Sequence, residues 1–576
     1  MAASKPAWYT YIPAYQWLSG YQRAHFQSDL LAALIVVAML VPQGMAYAML
    51  AGLPPIMGLY ASILPMLMYA LLGGSTTLSI GPVAIISMMT FATLSPLFEV
   101  GSPVYIEAAM LLALMVGIIS LLLGLFRFGF LIQLISHPVI QSFIIASALL
   151  IALGQFKFIV DLPLNGNNIP AFLQSVWQYA SLTHAATLVL GCTAIIFLVF
   201  IPKILKQLQP TSSRWLDFVM KAIPLFLVIG SIAFVFSFQL QEIGIKTVGE
   251  IPSGFPPIGI PHWNWDLVIT LLPGASMIAM ISFVESLSIA QATALQQRNQ
   301  LDSNQELIAL GIANLSAGLS SAFPVTGSLS RTVVNADAGA KTPLAGVLSS
   351  IFIVIVSLFF TGFFQDLPLA ILAATIIVSI WKLVDFKPFF DAWRYSKADG
   401  IAMWITFLGV VCIDISTGLI IGMVSTFILM LWRISRPHIA IVGLVEGTQH
   451  FRNVQRHHVL TADTVLSLRI DENLSFLNAN TFKGTLINAV SCQPNLQHVI
   501  INCSSISSID LSALEMLEDM NTELTKLNIC LHLAEVKGPV MDRLQHSALL
   551  KHLSGKVYLT HYSALQEICP DLTHSH

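Results

Sequence analysis

Between Asp29 and Met430 the chain is a succession of long apolar runs with very little charge among them. No water-soluble core is built from such a sequence. A soluble domain carries about 25% charged residues, because its surface needs polar cover however large its core grows. This chain of 576 residues is 56% hydrophobic and only 10% charged. Lipid removes the need for that cover. After Arg433 charge returns and the pattern changes to short alternating strands. The expected divisions are an N-terminal segment 1–28, a membrane domain 29–435, a linker 436–460 and a soluble domain 461–576.

A helical span needs about 20 apolar residues, fewer where it is broken. Fourteen candidates lie near 30–50, 56–72, 80–97, 104–125, 132–153, 184–202, 220–238, 267–291, 304–320, 327–339, 343–363, 367–382, 399–415 and 418–434. Lys and Arg mark cytoplasmic loops. Arg127, the group Lys203, Lys206, Arg214 and Lys221, then Arg298, then Lys382, Lys387, Arg394 and Lys397, and finally Arg433 and Arg436, all follow even-numbered spans. Acids such as Glu99, Glu107, Glu242 and Glu250 follow odd ones. This alternation puts both termini and the tail in the cytoplasm. The N-terminus is aromatic and amphipathic, and its first apolar run starts only near Leu30, so no cleaved signal peptide is expected.

Fourteen spans divide into two sets of seven. An odd number per set forces the two halves into opposite orientations. The third span of each set is short and led by Gly or Pro. Matching broken segments in two halves point to an inverted repeat with a substrate site at the bilayer midplane.

The first short span begins Ser79-Ile80-Gly81-Pro82-Val83-Ala84, and the second Phe323-Pro324-Val325-Thr326-Gly327-Ser328-Leu329-Ser330-Arg331. Pro82 and Pro324 suit helix starts, where a missing N–H loses no hydrogen bond. If the two N-termini face each other, their free N–H groups and positive dipole ends converge on an anion site. Ser328 and Ser330 add hydroxyl donors. Arg331 is a rare cation at membrane depth, and such a residue is a functional candidate by default; the alternative is a brace against a carboxylate or carbonyls. Glu285, deep in span eight, is placed to carry a coupling proton, the alternative being a structural acid paired with Arg. Span one is expected to break at Val41-Pro42-Gln43-Gly44, with Gln43 and Tyr47 four apart on one face toward the substrate. The Met-rich stretch at Met66, Met68, Met88 and Met89 reads as packing, and His137 as interfacial.

At these residues the chain resembles the SulP anion transporters, the sulfate permease family. The likeness is carried by Val41–Leu59, Ser79–Met88, Val248–Pro257, Asn304–Asn335 and Gly339–Gly346, with Arg433–Val454 similar to the family's junction into its tail. The resemblance implies an α-helical polytopic membrane protein of about fourteen spans in two inverted seven-span repeats, a uracil-permease-like fold, with a cytoplasmic α/β STAS domain. It implies a carrying bundle of spans one to four and eight to eleven, elevator-like motion and a homodimer. The family's anion pocket falls here on Gln43, Tyr47, Val83, Ala84, Ser328, Leu329, Ser330 and Arg331. Proton-coupled members are similar in placing Glu in span eight, here Glu285. The sodium-bicarbonate branch prefers Asp there with Thr one turn on; Ile289 stands at that second position and offers sodium no oxygen.

In the tail, Thr464–Ile470, Val499–Cys503 and Ile529–Ala534 read as strands, and Ala479–Ala489, Ser512–Lys526 and Pro539–Leu549 as helices. Strands alternating with helices give an α/β layer. The STAS turn is present as Asp510-Leu511-Ser512-Ala513. Ser512 matches the phosphoacceptor of related soluble domains, but Leu511 and Ala513 depart from the pattern, and Ser512 is expected to serve as a helix cap. The six cysteines show no CxxC spacing and read as reduced thiols.

The function expected is secondary transport of a small anion, sulfate first, with H⁺ as coupling ion. The alternatives are a bicarbonate or chloride exchanger, a C4-dicarboxylate symporter, or a channel or electromotile sensor on the same scaffold. The chain carries no metal cluster, nucleophile–base pair or phosphate loop, so neither an enzyme nor a cofactor is expected. A formal net charge of −3 gives no case for nucleic acid. The partners expected are the anion, the proton, the lipid bilayer and a second copy of the chain, and the location is the plasma membrane, the inner membrane in a Gram-negative bacterium.

Overall fold

The computed structural model describes residues 13–130, 136–162, 169–208, 214–297, 301–381, 384–413 and 415–573. Arg298, Lys382, the first twelve residues and the expected start of span five at 132–135 lie outside them. The chain forms two compact units, Met1–Thr426 and Phe427–His576.

In the first unit the spans are helices in the expected order. Span 1 is Arg23–Leu50, span 2 the pair Pro55–Tyr60 and Leu64–Leu72, span 3 Ala84–Leu94 and span 4 Pro103–Leu125. Spans 5 to 7 are His137–Val160, Ala185–Leu208 and Arg214–Phe238. Spans 8 to 11 are Trp265–Gln297, Ser303–Leu319, Leu329–Asp337 and Leu344–Phe359. Spans 12 to 14 are Leu369–Trp381, Lys397–Cys412 and Ile415–Ser435, the last continuing past Thr426 into the second unit. Spans 3 and 10 have 11 and 9 residues. At 1.5 Å per residue they reach roughly 15 Å, half of a hydrocarbon core of about 30 Å. Two amphipathic helices went unforeseen, Ile169–Tyr179 and Lys387–Tyr395, because their mixed faces read as loop.

Hydrogen bonds sort the loops by parity. Loops after even-numbered spans meet the starts of odd-numbered ones: Gly74 N–H donates to Glu306 Oε1 (2.8 Å), Gly129 N–H to Asn304 Oδ1 (3.0 Å) and Lys341 N–H to Asp29 Oδ1 (2.7 Å). Loops after odd spans meet one another. Lys246 pairs with Asp161 (2.7 Å), Gln241 with Asp366 (2.6 Å), and Ser321 donates to the Pro257 carbonyl (2.9 Å). A miscount by one span would mix these sets.

Span 1 does not break. It runs through Pro42 as one helix. The Pro-Gln-Gly sequence serves instead as a crossing point, since a Cβ on Gly58 of span 2 would lie 1.9 Å from the Gly44 carbonyl oxygen. Spans 4 and 9 are locked in the same way. A Cβ on Gly117 or Gly311 would come within 2.6 Å of the facing backbone nitrogen, and Gly124 and Gly318 repeat the contact seven residues on. Lipid gives helices no hydrophobic drive to associate, so such small-residue ridges supply close packing instead. The central window of span 4 is 67% buried, and that of span 6 only 17%.

Two two-residue strands were also missed: β1 (Ile80–Gly81) and β2 (Thr326–Gly327) pair antiparallel. In the second unit β3 (Ile439–Leu444), β4 (Phe451–Asn453), β5 (Val465–Ile470), β6 (His498–Asn502), β7 (Cys530–Ala534) and β8 (Val557–Tyr558) form one sheet in the order β4-β3-β5-β6-β7-β8. β5 to β8 are parallel, and β3 is antiparallel to β5. Residues 436–460, expected as a linker, thus contribute two strands to the sheet. Leu466, Leu468, Ile501, Leu531 and Leu533 meet Phe482 and Met520 of the covering helices in its core.

Candidate functional site

The site is assembled on the β1–β2 pair. Ile80 lies opposite Gly327 and Gly81 opposite Thr326, and Ser328 N–H donates to the Ser79 carbonyl (3.0 Å). Irregular backbone survives at membrane depth only where protein satisfies it. Span 8 and span 9 do so here. Ser282 Oγ donates to the Val325 carbonyl (3.1 Å), and Gly327 N–H to Ser286 Oγ (2.8 Å). Asn314 accepts from Val325 N–H (2.9 Å) and returns a bond to its carbonyl (3.0 Å). Sequence reasoning missed these three residues. Their signal was polarity at helical spacing inside otherwise apolar spans.

From this platform the two half-helices start in opposite directions. Val83, extended, precedes Ala84, the first residue of span 3. Pro82 sits just ahead of that start, as expected. Pro324 does not; it leads into β2, four residues before the span 10 cap. Ser328 is that cap, its Oγ accepting from Arg331 N–H. Its hydroxyl also lies 3.3 Å from Ser330 Oγ.

Arg331 is fully buried. Its Nη1 donates to the Pro82 carbonyl (2.9 Å), bridging the two half-sites, while Nε and Nη2 have no partner among the described residues. The guanidinium lies against Gly81, where a Cβ would stand 3.2 Å from Nη2. Tyr47 is buried and lies within electrostatic range of both Arg331 and Glu285, which are within range of each other. Gly44 of span 1 packs against Pro82, which brings the Gln43 turn to the same place. Gln43 Oε1 and Glu285 Oε2 are buried with no hydrogen-bond partner. Ala84 is buried, whereas Leu329 and Ser330 are exposed. No side-chain hydrogen bond among the described residues joins Gln43 or Leu329 to the others.

The face of span 10 opposite Leu329 and Ser330 carries Ser328, Thr332 and Asn335, which lie along Ser79 and Thr77. Ser79 N–H donates to Thr332 Oγ1 (3.1 Å), and Asn335 Nδ2 to the Thr77 carbonyl (2.9 Å). Chemically, the site offers unpaired donors and a fixed cation beside one acid, in a low-dielectric setting. This suits holding and releasing an anion.

In the tail, Ser512 is not the cap. Asp510 takes that position, with Oδ1 accepting from Ala513 N–H (2.9 Å) and Oδ2 from Phe476 N–H (2.7 Å). A carboxylate serves two donors at once, which one hydroxyl at Ser512, two residues further on, cannot do. Ser512 is left exposed.

The profile of the sulfate permease family matches residues 26–406, and that of the STAS domain residues 458–564. The chloroplastic sulfate transporter 4.1 of Arabidopsis thaliana is 34% identical over 97% of this chain and 82% of its own length. A probable sulfate transporter of Mycobacterium tuberculosis is 31% identical over 95% of this chain and 96% of its own. The murine solute carrier 26 family member A9 anion transporter, in its inward-facing state, superposes with a TM-score of 0.89 at 23% identity, covering 98% of this chain and 95% of that one. The transmembrane domain of the cyanobacterial bicarbonate transporter BicA gives 0.59 at 20% identity over 70% of this chain and 98% of that one. The fold is therefore the inverted seven-plus-seven repeat followed by an α/β STAS domain. Family profile and relatives together show that the chain belongs to the sulfate permease family of anion transporters, a multi-pass membrane protein with a cytoplasmic STAS domain and not an enzyme.

Proposed function

We propose that the chain is a proton-coupled symporter of sulfate. The observation that carries this reading is Arg331, fully buried with two unpaired donors, between two half-helix starts and within electrostatic reach of Glu285. A dianion placed there meets the guanidinium and free backbone N–H groups. Glu285 opposes it when ionised and ceases to do so when protonated, which couples proton to anion. Gln43, Tyr47, Val83, Ala84, Ser328, Leu329, Ser330 and Arg331 wall the anion, and Glu285 carries the proton. Support for sulfate comes from the names of relatives near 30% identity. The bundle of spans one to four and eight to eleven moves as the elevator in a homodimer, and the site is at the plasma membrane, with N-terminal segment and tail in the cytoplasm. The functional divisions are 1–28, 29–435 and the tail, in which 436–460 supplies the first two strands of the sheet completed by 461–576.

The test is uptake of labelled sulfate, bicarbonate and succinate into proteoliposomes, with and without inward proton and sodium gradients. Sulfate uptake that rises with the proton gradient and ignores sodium is expected. Glu285→Gln should abolish the pH drive and keep anion binding. Sodium-driven uptake would replace this reading with a sodium symporter, and uptake indifferent to both gradients with an exchanger or channel. Ser330→Phe should block binding by filling the pocket.

A further inference from the structure

A groove of about 500 Å³ lies between the amphipathic helix Lys387–Tyr395 and span 13, lined by Phe389, Phe390, Trp393 and, from span 13, Ile401, Trp404 and Leu408. Its lining is wholly apolar. Phe389 is buried and forms its floor, with ring centroids 4.8 Å from Trp404 and 5.5 Å from Phe407. Gly400 fixes the helix against the span, because a Cβ there would lie 3.0 Å from the Trp393 Cα. The slot is therefore pre-formed, and its span 13 wall, Ile401, Trp404 and Leu408, follows one helical face.

The loop holding this helix follows an even-numbered span, on the cytoplasmic side. The groove thus opens at the inner leaflet, where tryptophan and tyrosine concentrate. Lys387, Arg394 and Lys397 are exposed and adjoin the lining residues in sequence; Lys387 N–H donates to Asp385 Oδ1 (2.9 Å), and none of the three side chains has a hydrogen bond or ion pair among the described residues. Asp391 is four residues from Lys387 and three from Arg394, spacings at which it can offset one of the two. Asp399 is two residues from Lys397 and from Ile401, hence on another face of the helix. With Asp385 beside Lys387 and Asp391 between Lys387 and Arg394, three cations face two acids, and the surplus positive charge lies at Arg394 and Lys397, next to the lining residues Trp393 and Ile401. Basic pockets beside membrane helices on this side select anionic head groups.

We propose that this groove is a binding site for an anionic phospholipid of the inner leaflet, with one acyl chain in the aromatic slot and the phosphate on Arg394 and Lys397. The occupant is lipid because the slot is wholly apolar, opens at bilayer depth and carries its charge only at the interfacial rim. The site stands apart from Arg331 and Glu285 and does not depend on the transport reading.

The experiment is tryptophan quenching in nanodiscs of the full chain, with phosphatidylglycerol or phosphatidylcholine brominated on the acyl chain. The groove component is the signal lost in Trp393→Phe and Trp404→Phe. Phosphatidylglycerol should quench it at lower mole fraction than phosphatidylcholine. Arg394→Gln and Lys397→Gln, both at exposed positions, should each reduce that preference by about fivefold. Equal quenching by the two lipids overturns the anionic site. Absence of quenching, together with self-crosslinking of an Ile405→Cys variant, overturns it in favour of a second copy of the chain.

Discussion

The two units treat buried polar groups in opposite ways. Eleven buried side-chain atoms among the described residues lack a hydrogen-bond partner. Ten belong to the membrane unit, and Gln493 Oε1 alone to the tail. Those of Gln43, Thr77, Ser79, Glu285, Arg331 and Asn335 gather at or beside the half-helix starts. The tail closes its polar networks instead. His561, fully buried, accepts from Asn502 Nδ2 (3.2 Å) at Nδ1, which leaves Nε2–H to donate to Ser467 Oγ (2.9 Å). His532 accepts from Lys556 N–H (3.0 Å) at Nδ1 and so offers Nε2–H to His498 (3.2 Å). An unmet buried polar group costs about 1–3 kcal/mol, more when charged. The membrane unit thus concentrates this cost around the proposed anion site, whereas the tail leaves one such atom among the described residues.

The largest expected effect tests what lets the membrane unit carry such strain. Gly311→Val drives a side chain into the span 4 backbone. It should destabilise by more than about 3 kcal/mol and yield no monodisperse protein on size-exclusion chromatography. Normal recovery would mean that the glycine ridge is not what holds the bundle. Next, Arg331→Gln should lower anion uptake by about 10²–10³-fold in proteoliposomes while the protein stays folded. Uptake near that of the unmodified chain would make Arg331 a brace only.

Acid should expose the other side of the comparison. Burial holds His561 down to about 4, and burial followed by the neighbouring His498 does the same to His532. Both are depressed in the folded state from an ordinary value near 6.5. The unfolded tail therefore binds more protons between pH 6.5 and 4, and stability falls as pH drops through that window. The loss is up to about 1.4 kcal/mol per pH unit for each histidine. Hydrogen exchange of the 557–573 segment in the full chain should accelerate from pH 7 to pH 5, after correction for intrinsic rates. A pH-independent protection factor would refute it.

The smallest effects concern the tail's helix start. Asp510→Ala should cost about 1 kcal/mol, and Ser512→Ala less than about 0.5 kcal/mol, in thermal unfolding of the tail followed in the full chain. The reverse order would restore Ser512 as the cap.

Span lengths, loop parity and the two short spans were legible because hydrophobic runs and basic loops are long signals. Two-residue strands carry no periodicity, so β1 and β2 were not. Their supports, Ser282 and Ser286 one turn apart on span 8 and Asn314 on span 9, reach the strands only through the fold. Pro42 looked like a break because proline removes a helix bond, yet the helix continues and presents Gly44 to Gly58. Arg331 and Glu285 stood out as charges in apolar surroundings. The bond from Arg331 to the Pro82 carbonyl, 249 residues away in sequence, had no local trace.

The β1–β2 ladder makes the two half-sites a calliper with a fixed gap. Backbone bonds set its opening, so it cannot widen for a bulkier guest as a pocket of loose side chains would. An anion slightly too large is turned away at the jaws whatever its charge, and one slightly too small rattles without full contact. With the anion held there as proposed, selectivity among tetrahedral, planar and spherical anions rests on the side chains proposed to wall it, Val83, Ala84, Leu329 and Ser330.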